Sequence, residues 1–267
     1  MIDVPSTAFF RDVWRRRPLH VPGGAGQLRD FAWDRAAFDA ALAAARAADP
    51  DAVRERAGEV AFVENVDRFV AAPRRRARAL REHFGVGSLW FDSVRTTGPG
   101  SIGCHFDHSD NFVLQCEGVK VWRLWPAEVV PAAQRRARML GRPGVGAVVP
   151  PEDGYVEIEL RPGDLLYIPL LWPHWGVAEA DSLSLSLVCG GAAACDELLE
   201  LARVVLRGRE VAAEALPALA GDADQRHGAV DEVRDAVRSL AAALGDERTV
   251  HAIAEVWARH RARGDEP

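Results

Sequence analysis

Three side chains able to hold one metal ion stand out in this chain. His105 and Asp107 are separated by a single residue, and His174 follows sixty-nine residues after His105. On a strand, residues i and i+2 point to the same side, so His105 and Asp107 can grip an ion from one wall while His174 closes from a facing strand. Two imidazoles and a carboxylate on one face of a metal leave its other positions open, the arrangement of non-haem Fe(II) oxygenases. Three open positions accommodate a bidentate 2-oxo acid and O2. The plainer alternative makes His174 a packed core histidine and Asp107 a turn former.

Lys120 weighs against that alternative. It sits in GVKVWRLWP, just past a hairpin at Glu117-Gly118, and shares a strand face with Trp122 and Leu124. A lysine on such a face is predicted to be buried, which is unfavourable unless an anion pairs with it. The distal carboxylate of 2-oxoglutarate would be that anion. A solvated Lys120 on the outer surface is the competing expectation.

The elements that must position these residues are legible in outline. Residues 1 to about 87 read as mixed α and β, with a short helix around Ser6 to Arg16, an extended PLHVP, and an alanine-rich helix from about Asp34 to Ala48. Asp34 can cap that helix and Asp49-Pro50 ends it, because the residue before proline leaves the α region. A helix from Pro73 to Phe84 carries five arginines, expected to form a solvated face. From about Ser88 to Gly190 the texture changes to short strands punctuated by Gly and Pro, the pattern of an antiparallel barrel or sandwich. CHFD is drawn as one of these strands, and in SLSLSLV serines alternate with leucines, giving one apolar and one mildly polar face. Ala127 to Leu140 is predicted as a helix, followed by a Gly/Pro loop to Pro151. Beyond Gly191 three helical segments follow, DELLELARVVLRGREVAAEAL, DEVRDAVRSLAAALG and ERTVHAIAEVWARHRA, whose apolar positions either cover the barrel or pair with a second copy as a homodimer.

With 267 residues, 48% of them hydrophobic, the chain can bury a substantial core. A net charge of -6 argues against a phosphate-binding face, so no nucleic-acid partner is expected. No apolar run approaches spanning length, so no membrane partner is expected either. Cys104, Cys116, Cys189 and Cys195 show no CxxC spacing and suit a reducing compartment. A cytoplasmic location is the expectation.

The stretches GSIGCHFDHSDNFVLQCEGVKVWRLWP, RPGDLLYIPLLWPHWGV and SLSLSLV together resemble the JmjC-type 2-oxoglutarate oxygenases, especially bacterial cupin-like relatives of the ribosomal oxygenases. FFRDVWRRRPLHVPGGA is similar to the opening segment of that group, so the resemblance covers roughly residues 6 to 190. It implies a mainly β, α+β chain: a double-stranded β-helix (jelly-roll, cupin, JmjC-type) core over about 88–190, N-terminal α/β decoration within an oxygenase domain 1–190, and a C-terminal helical region 191–267. Carried over by position, it implies His105, Asp107 and His174 as Fe(II) ligands and Lys120 as partner of the 2-oxoglutarate distal carboxylate. It also brings Asn111 and Ser186 to the cosubstrate; turn closure is the alternative for Asn111. Ser93 and Arg95 fall near positions where the ribosomal-oxygenase group usually offers asparagine and tyrosine, a departure that puts those contacts in doubt. His108 is expected on the other face from Asp107, and not as a ligand.

The expected reaction is hydroxylation of an unactivated C–H bond, coupled to decarboxylation of 2-oxoglutarate to succinate with O2. Lys120 would orient the cosubstrate, and an apolar wall around Trp122 and Leu124 would exclude water. Trp172 and Trp175 are expected either at the substrate entrance or in barrel packing. By analogy with the family, the substrate is a peptidyl side chain, on a ribosomal protein or a precursor peptide. The alternatives are a small-molecule tailoring hydroxylase, a catalytically silent cupin that binds a ligand, and a metal-dependent cupin isomerase.

Overall fold

The computed structural model describes residues 3–56, 59–84, 86, 88–141, 146–149, 151–191, 202–203, 206 and 223–263. The chain divides into two compact units, Met1–Gly191 and Ala192–Pro267. Of the second, helices α5 (Ala223–Gly245) and α6 (Glu247–Arg263) are described. The Asp246 carboxylate caps α6 by accepting from the Thr249 N–H at 3.0 Å. Cys195 and most of the first predicted C-terminal helix lie outside the described residues. Among the described residues no helix is long and apolar enough to cross a membrane.

The first unit is a double-stranded β-helix built on two antiparallel sheets. In chain order the strands are β1 (Leu19–Val21), β2 (Val53–Arg56), β3 (Val60–Val63), β4 (Leu89–Thr96), β5 (Ser109–Glu117), β6 (Lys120–Leu124), β7 (Val156–Leu160), β8 (Leu165–Ile168), β9 (His174–Ala178) and β10 (Ser182–Gly190). The large sheet runs β1-β8-β5-β10-β4-β3-β2 and the small one β7-β6-β9. This jelly-roll with helices around it is the α+β architecture implied by the sequence.

Helices α1 (Thr7–Asp12), α2 (Arg35–Ala48) and α3 (Ala71–Phe84) supply the main core. In α2 the Asp34 carboxylate accepts from the Ala37 N–H at 2.9 Å, and Phe38, Ala41, Leu42 and Ala45 form its buried stripe. These helices pack with one face of the large sheet, including Phe91, Phe112, Leu114, Tyr167, Leu183, Leu185 and Leu187. A smaller cluster of Val113, Trp122, Leu124, Leu160, Leu166 and Ile168 lies between the sheets. The leucines of SLSLSLV therefore face the helices, while Ser184 and Ser186 face the interior of the barrel.

Three expectations need correction. CHFD is not a strand: only His105 pairs, through single bridges to His174 and Ala147, and β5 begins at Ser109. The segment 127–140 is not one helix. Pro131, which has no N–H to extend a helix from the preceding turn, separates a 3-10 turn at Ala127–Val129 from α4 (Ala132–Met139). The arginines of α3 are not all solvated, since Arg76 is half-buried and donates to the backbone carbonyls of Leu28 and Gln27.

Candidate metal centre in the barrel

His105 and His174 meet because they are bridge partners. The His174 N–H donates to the His105 carbonyl at 2.8 Å and the His105 N–H to the His174 carbonyl at 3.1 Å, so both side chains leave the ladder on the same side. Asp107 follows Phe106, whose side chain is fully buried, and returns to the side of His105. Its carbonyl accepts from the Leu171 N–H at 2.7 Å, which ties it to the turn that launches β9.

A buried anchor holds this arrangement from behind. Asp110 accepts from the Tyr167 hydroxyl at 2.7 Å, the Leu170 N–H at 3.2 Å and Arg15 Nε at 3.0 Å. Trp14 stacks on Tyr167 with centroids 5.7 Å apart. The N-terminal segment, the start of β5 and the β8–β9 turn are thereby fixed to one another, and with them both halves of the trio.

The donor set suits a cation. Nδ1 of His105 lies 3.0 Å from the Gly103 carbonyl and Nδ1 of His174 2.9 Å from the Trp172 carbonyl. A carbonyl only accepts, so each neutral ring carries its proton on Nδ1 and leaves Nε2 bare. Burial pushes the His174 imidazole down to about 4, which keeps it uncharged at neutral pH. The two Nε2 atoms are 3.1 Å apart and each is 3.6 Å from Asp107 Oδ2. Ligand atoms bonded at about 2.1 Å to one ion lie roughly 3.0–3.4 Å from each other, and these separations are close to that range. Burial alone would raise the Asp107 carboxyl, but the positive charge of the imidazoles in their protonated form and of Arg138 outweighs it and holds the group below its ordinary value. Two lone pairs and a carboxylate converging on one point are stabilised by a positive ion between them.

The trio opens into a cavity of about 650 Å³ between the sheets, which Lys120, Asn111 and Ser186 also line. Lys120 is 4% exposed, as its neighbours Trp122 and Leu124 predict. It forms no hydrogen bond or ion pair with any described residue, and its Nζ lies 5.6 Å from the Trp122 ring centroid. Burial lowers its ammonium to about 8. Asn111 donates from Nδ2 to Asp107 Oδ2 at 3.2 Å, so it steadies the carboxylate as well as facing the cavity. Ser186 is the cross-strand partner of Asp92.

Other sequence expectations fall differently. Ser93 and Arg95 face away from the cavity: Ser93 accepts from Trp33 Nε1 at 2.9 Å, and Arg95 pairs with Asp39 and covers the Phe38 ring. The inward residues of β4 are Trp90, Asp92 and Val94. A shift of one residue exchanges the faces of a strand, and β4 is largely covered on both, so alternation in its sequence gave no warning. Leu124 packs in the cluster between the sheets and is absent from the lining, whereas Trp122 lines the cavity. Trp175 donates to Ser101 Oγ at 2.9 Å and Trp172 packs against the inter-sheet cluster, so both serve barrel packing. His108 is not among the converging ligands but does line the cavity.

Two cavity residues escaped the sequence reading. Asp92 accepts from the Asn65 N–H at 2.8 Å, and burial, reinforced by neighbouring carboxylates, pushes it up to about 8. Arg138 arrives from α4 and donates to Asp107. Only once β10 is seen to turn its leucines to the helices do Leu89 and Phe91, paired with Cys189 and Leu187, place Asp92 on the inward face. Nothing local marks Arg138.

Comparison with known proteins agrees with this architecture. Residues 66–195 match the JmjC domain model. A Drosophila persimilis protein named bifunctional lysine-specific demethylase and histidyl-hydroxylase NO66 is 38% identical over 98 residues, covering 36% of this chain and 13% of that protein. The ribosomal protein uL16 3-hydroxylase of Escherichia coli K12 is 31% identical over 88 residues, covering 33% of this chain and 22% of that one. The matches thus span about an eighth to a fifth of these relatives. The Escherichia coli ribosomal oxygenase YcfD, solved in complex with cobalt and 2-oxoglutarate, superposes with a TM-score of 0.58 at 18% identity, covering 94% of this chain and 69% of that one. At this identity the likeness is one of fold. Residues 66–195 are thus similar to JmjC domains, and the chain resembles proteins named as ribosomal oxygenases and ribosomal-protein hydroxylases.

Proposed function

We propose that this chain is an Fe(II)- and 2-oxoglutarate-dependent hydroxylase that inserts oxygen into a C–H bond of a peptidyl side chain, on a ribosomal protein or a precursor peptide. The observation that carries the reading is one cavity that holds both the His105–Asp107–His174 trio and the buried Lys120, which pairs with no anion among the described residues. Such a cavity suits a ligand that chelates a metal at one end and carries a carboxylate at the other. 2-Oxoglutarate is that kind of ligand, and the solved YcfD complex with cobalt and 2-oxoglutarate supports the choice. Fe(II) with 2-oxoglutarate and O2 would supply the oxidation, in which the 2-oxo acid becomes succinate and CO2 and one oxygen atom enters the C–H bond.

The protein's own groups have separable tasks. His105, Asp107 and His174 would hold the metal through Nε2, Oδ2 and Nε2. Lys120 would orient the cosubstrate by its far carboxylate, at a site where burial strengthens the pairing. Trp122 keeps part of the wall apolar. The peptidyl substrate rests on the relatives named for acting on ribosomal proteins, the uL16 3-hydroxylase among them.

The test is incubation with Fe(II), 2-oxoglutarate, ascorbate and a peptide panel, read as succinate release and as peptides gaining about 16 Da, one oxygen atom. His174→Ala should abolish both. A wild-type protein that, loaded with metal, binds no 2-oxoglutarate would overturn the reading.

A further inference from the structure

A side chain from outside every sequence motif reaches the trio. Arg138, near the end of α4, donates from Nη2 to Asp107 Oδ1 at 2.9 Å across thirty-one residues. The other carboxylate oxygen, Oδ2, is the one 3.6 Å from both imidazole Nε2 atoms. The chain following α4 is fastened to the segment that carries the ligands. The Phe106 N–H donates to the Gly146 carbonyl at 2.9 Å, the Val148 N–H donates to the Cys104 carbonyl at 3.1 Å, and His105 bridges to Ala147. Arg138 also lines the cavity.

We propose that Arg138 is a positioning residue for the metal centre: by occupying Oδ1 it confines Asp107 to a one-oxygen contact through Oδ2 and so keeps half of the coordination sphere open. A carboxylate with both oxygens free can chelate an ion, as carboxylates do around larger cations. Chelation by Asp107 would take one of the three positions that a bidentate 2-oxo acid and O2 require. The guanidinium prevents this by holding one oxygen in a charge-assisted hydrogen bond. The inference rests on reading the trio as a metal site.

Its signature is a split between two affinities. Removing Arg138 frees Oδ1 and removes a positive charge near the ion, so metal binding is kept or tightened, while the cosubstrate loses a coordination position. The experiment uses the full chain with Co(II) as a redox-silent probe, first alone and then with 2-oxoglutarate. In Arg138→Met, Co(II) should bind at least as tightly as in wild type. Its visible spectrum should already differ before any 2-oxoglutarate is added, and 2-oxoglutarate should then bind tenfold or more weaker, within the range seen when partners of ligands are removed. Arg138→Lys, which keeps a charged donor, should restore the wild-type spectrum. An unchanged Co(II) spectrum in Arg138→Met overturns the proposal, and so does a parallel loss of both affinities, which would mark a merely structural role. If Arg138→Met does not fold, Arg138→Ala replaces it with the same expected spectral change and cosubstrate loss, and an unchanged spectrum there overturns the proposal as well. Wild-type protein that fails to bind Co(II) would defeat the parent reading instead.

Discussion

Replacing Lys120 by methionine should make the empty protein more stable while abolishing its use for 2-oxoglutarate. Burial lowers the Lys120 ammonium from 10.5 to about 8, and at about 1.4 kcal/mol per pH unit, keeping it charged at neutral pH costs on the order of 3 kcal/mol. The sign follows from proton counts. Between about pH 8 and pH 10.5 the unfolded chain holds the Lys120 proton and the folded chain does not, so this residue makes stability rise with pH across that window. Below pH 8 both states are protonated and the full cost remains. Methionine has similar length and no charge, so Lys120→Met should gain up to about 3 kcal/mol at pH 7, less whatever repacking is lost, and should lose the rise above pH 8. Added 2-oxoglutarate with Co(II) should stabilise wild type by about 2.7 kcal/mol at one hundred times its Kd and the variant by nearly nothing. Denaturant unfolding at pH 7 and pH 9.5, with and without ligand, measures all of these quantities. A variant less stable than wild type at pH 7, or one that keeps its affinity for 2-oxoglutarate, would refute the reasoning that Lys120 is held unpaired for an incoming anion.

Two further outcomes follow from the cavity walls. Asp92 is pushed up to about 8 by burial, so the folded state holds its proton between roughly pH 4 and pH 8 while the unfolded chain does not, and stability from this group falls as pH rises through that interval. Asp92→Asn, compared by urea midpoints at pH 5 and pH 8, should gain more at pH 8; an equal change at both would show that the carboxyl is not held protonated. A Cβ on Gly176 would lie 2.9 Å from the Trp122 ring, so Gly176→Ala must shift the indole. A loss of about 1–3 kcal/mol is expected, with weaker 2-oxoglutarate binding by calorimetry, and wild-type values on both counts would place slack around Trp122 that the packing does not suggest.

The sequence by itself determined which side chains could hold a metal ion and their order along the chain. His105 and Asp107 are close enough along the chain that any extended backbone turns them the same way, and Lys120 declared its burial through Trp122 and Leu124 on its own strand face. It also determined α2, because the Asp34 cap, the stripe from Phe38 to Ala45 and the Asp49-Pro50 stop are all local signals. Tertiary structure alone decided that His174 is the bridge partner of His105 across sixty-nine residues. It likewise decided that Ser184 and Ser186 of SLSLSLV face the cavity, since both stripes of that strand are covered and only the packing of α1 to α3 says which side is the helix side. The same choice of face on β4 brought Asp92 and Val94 inward in place of Ser93 and Arg95. Arg138 depends on it most, because a salt bridge from α4 to Asp107 has no periodicity or spacing to announce it and exists only once the chain after α4 lies against the His105 segment.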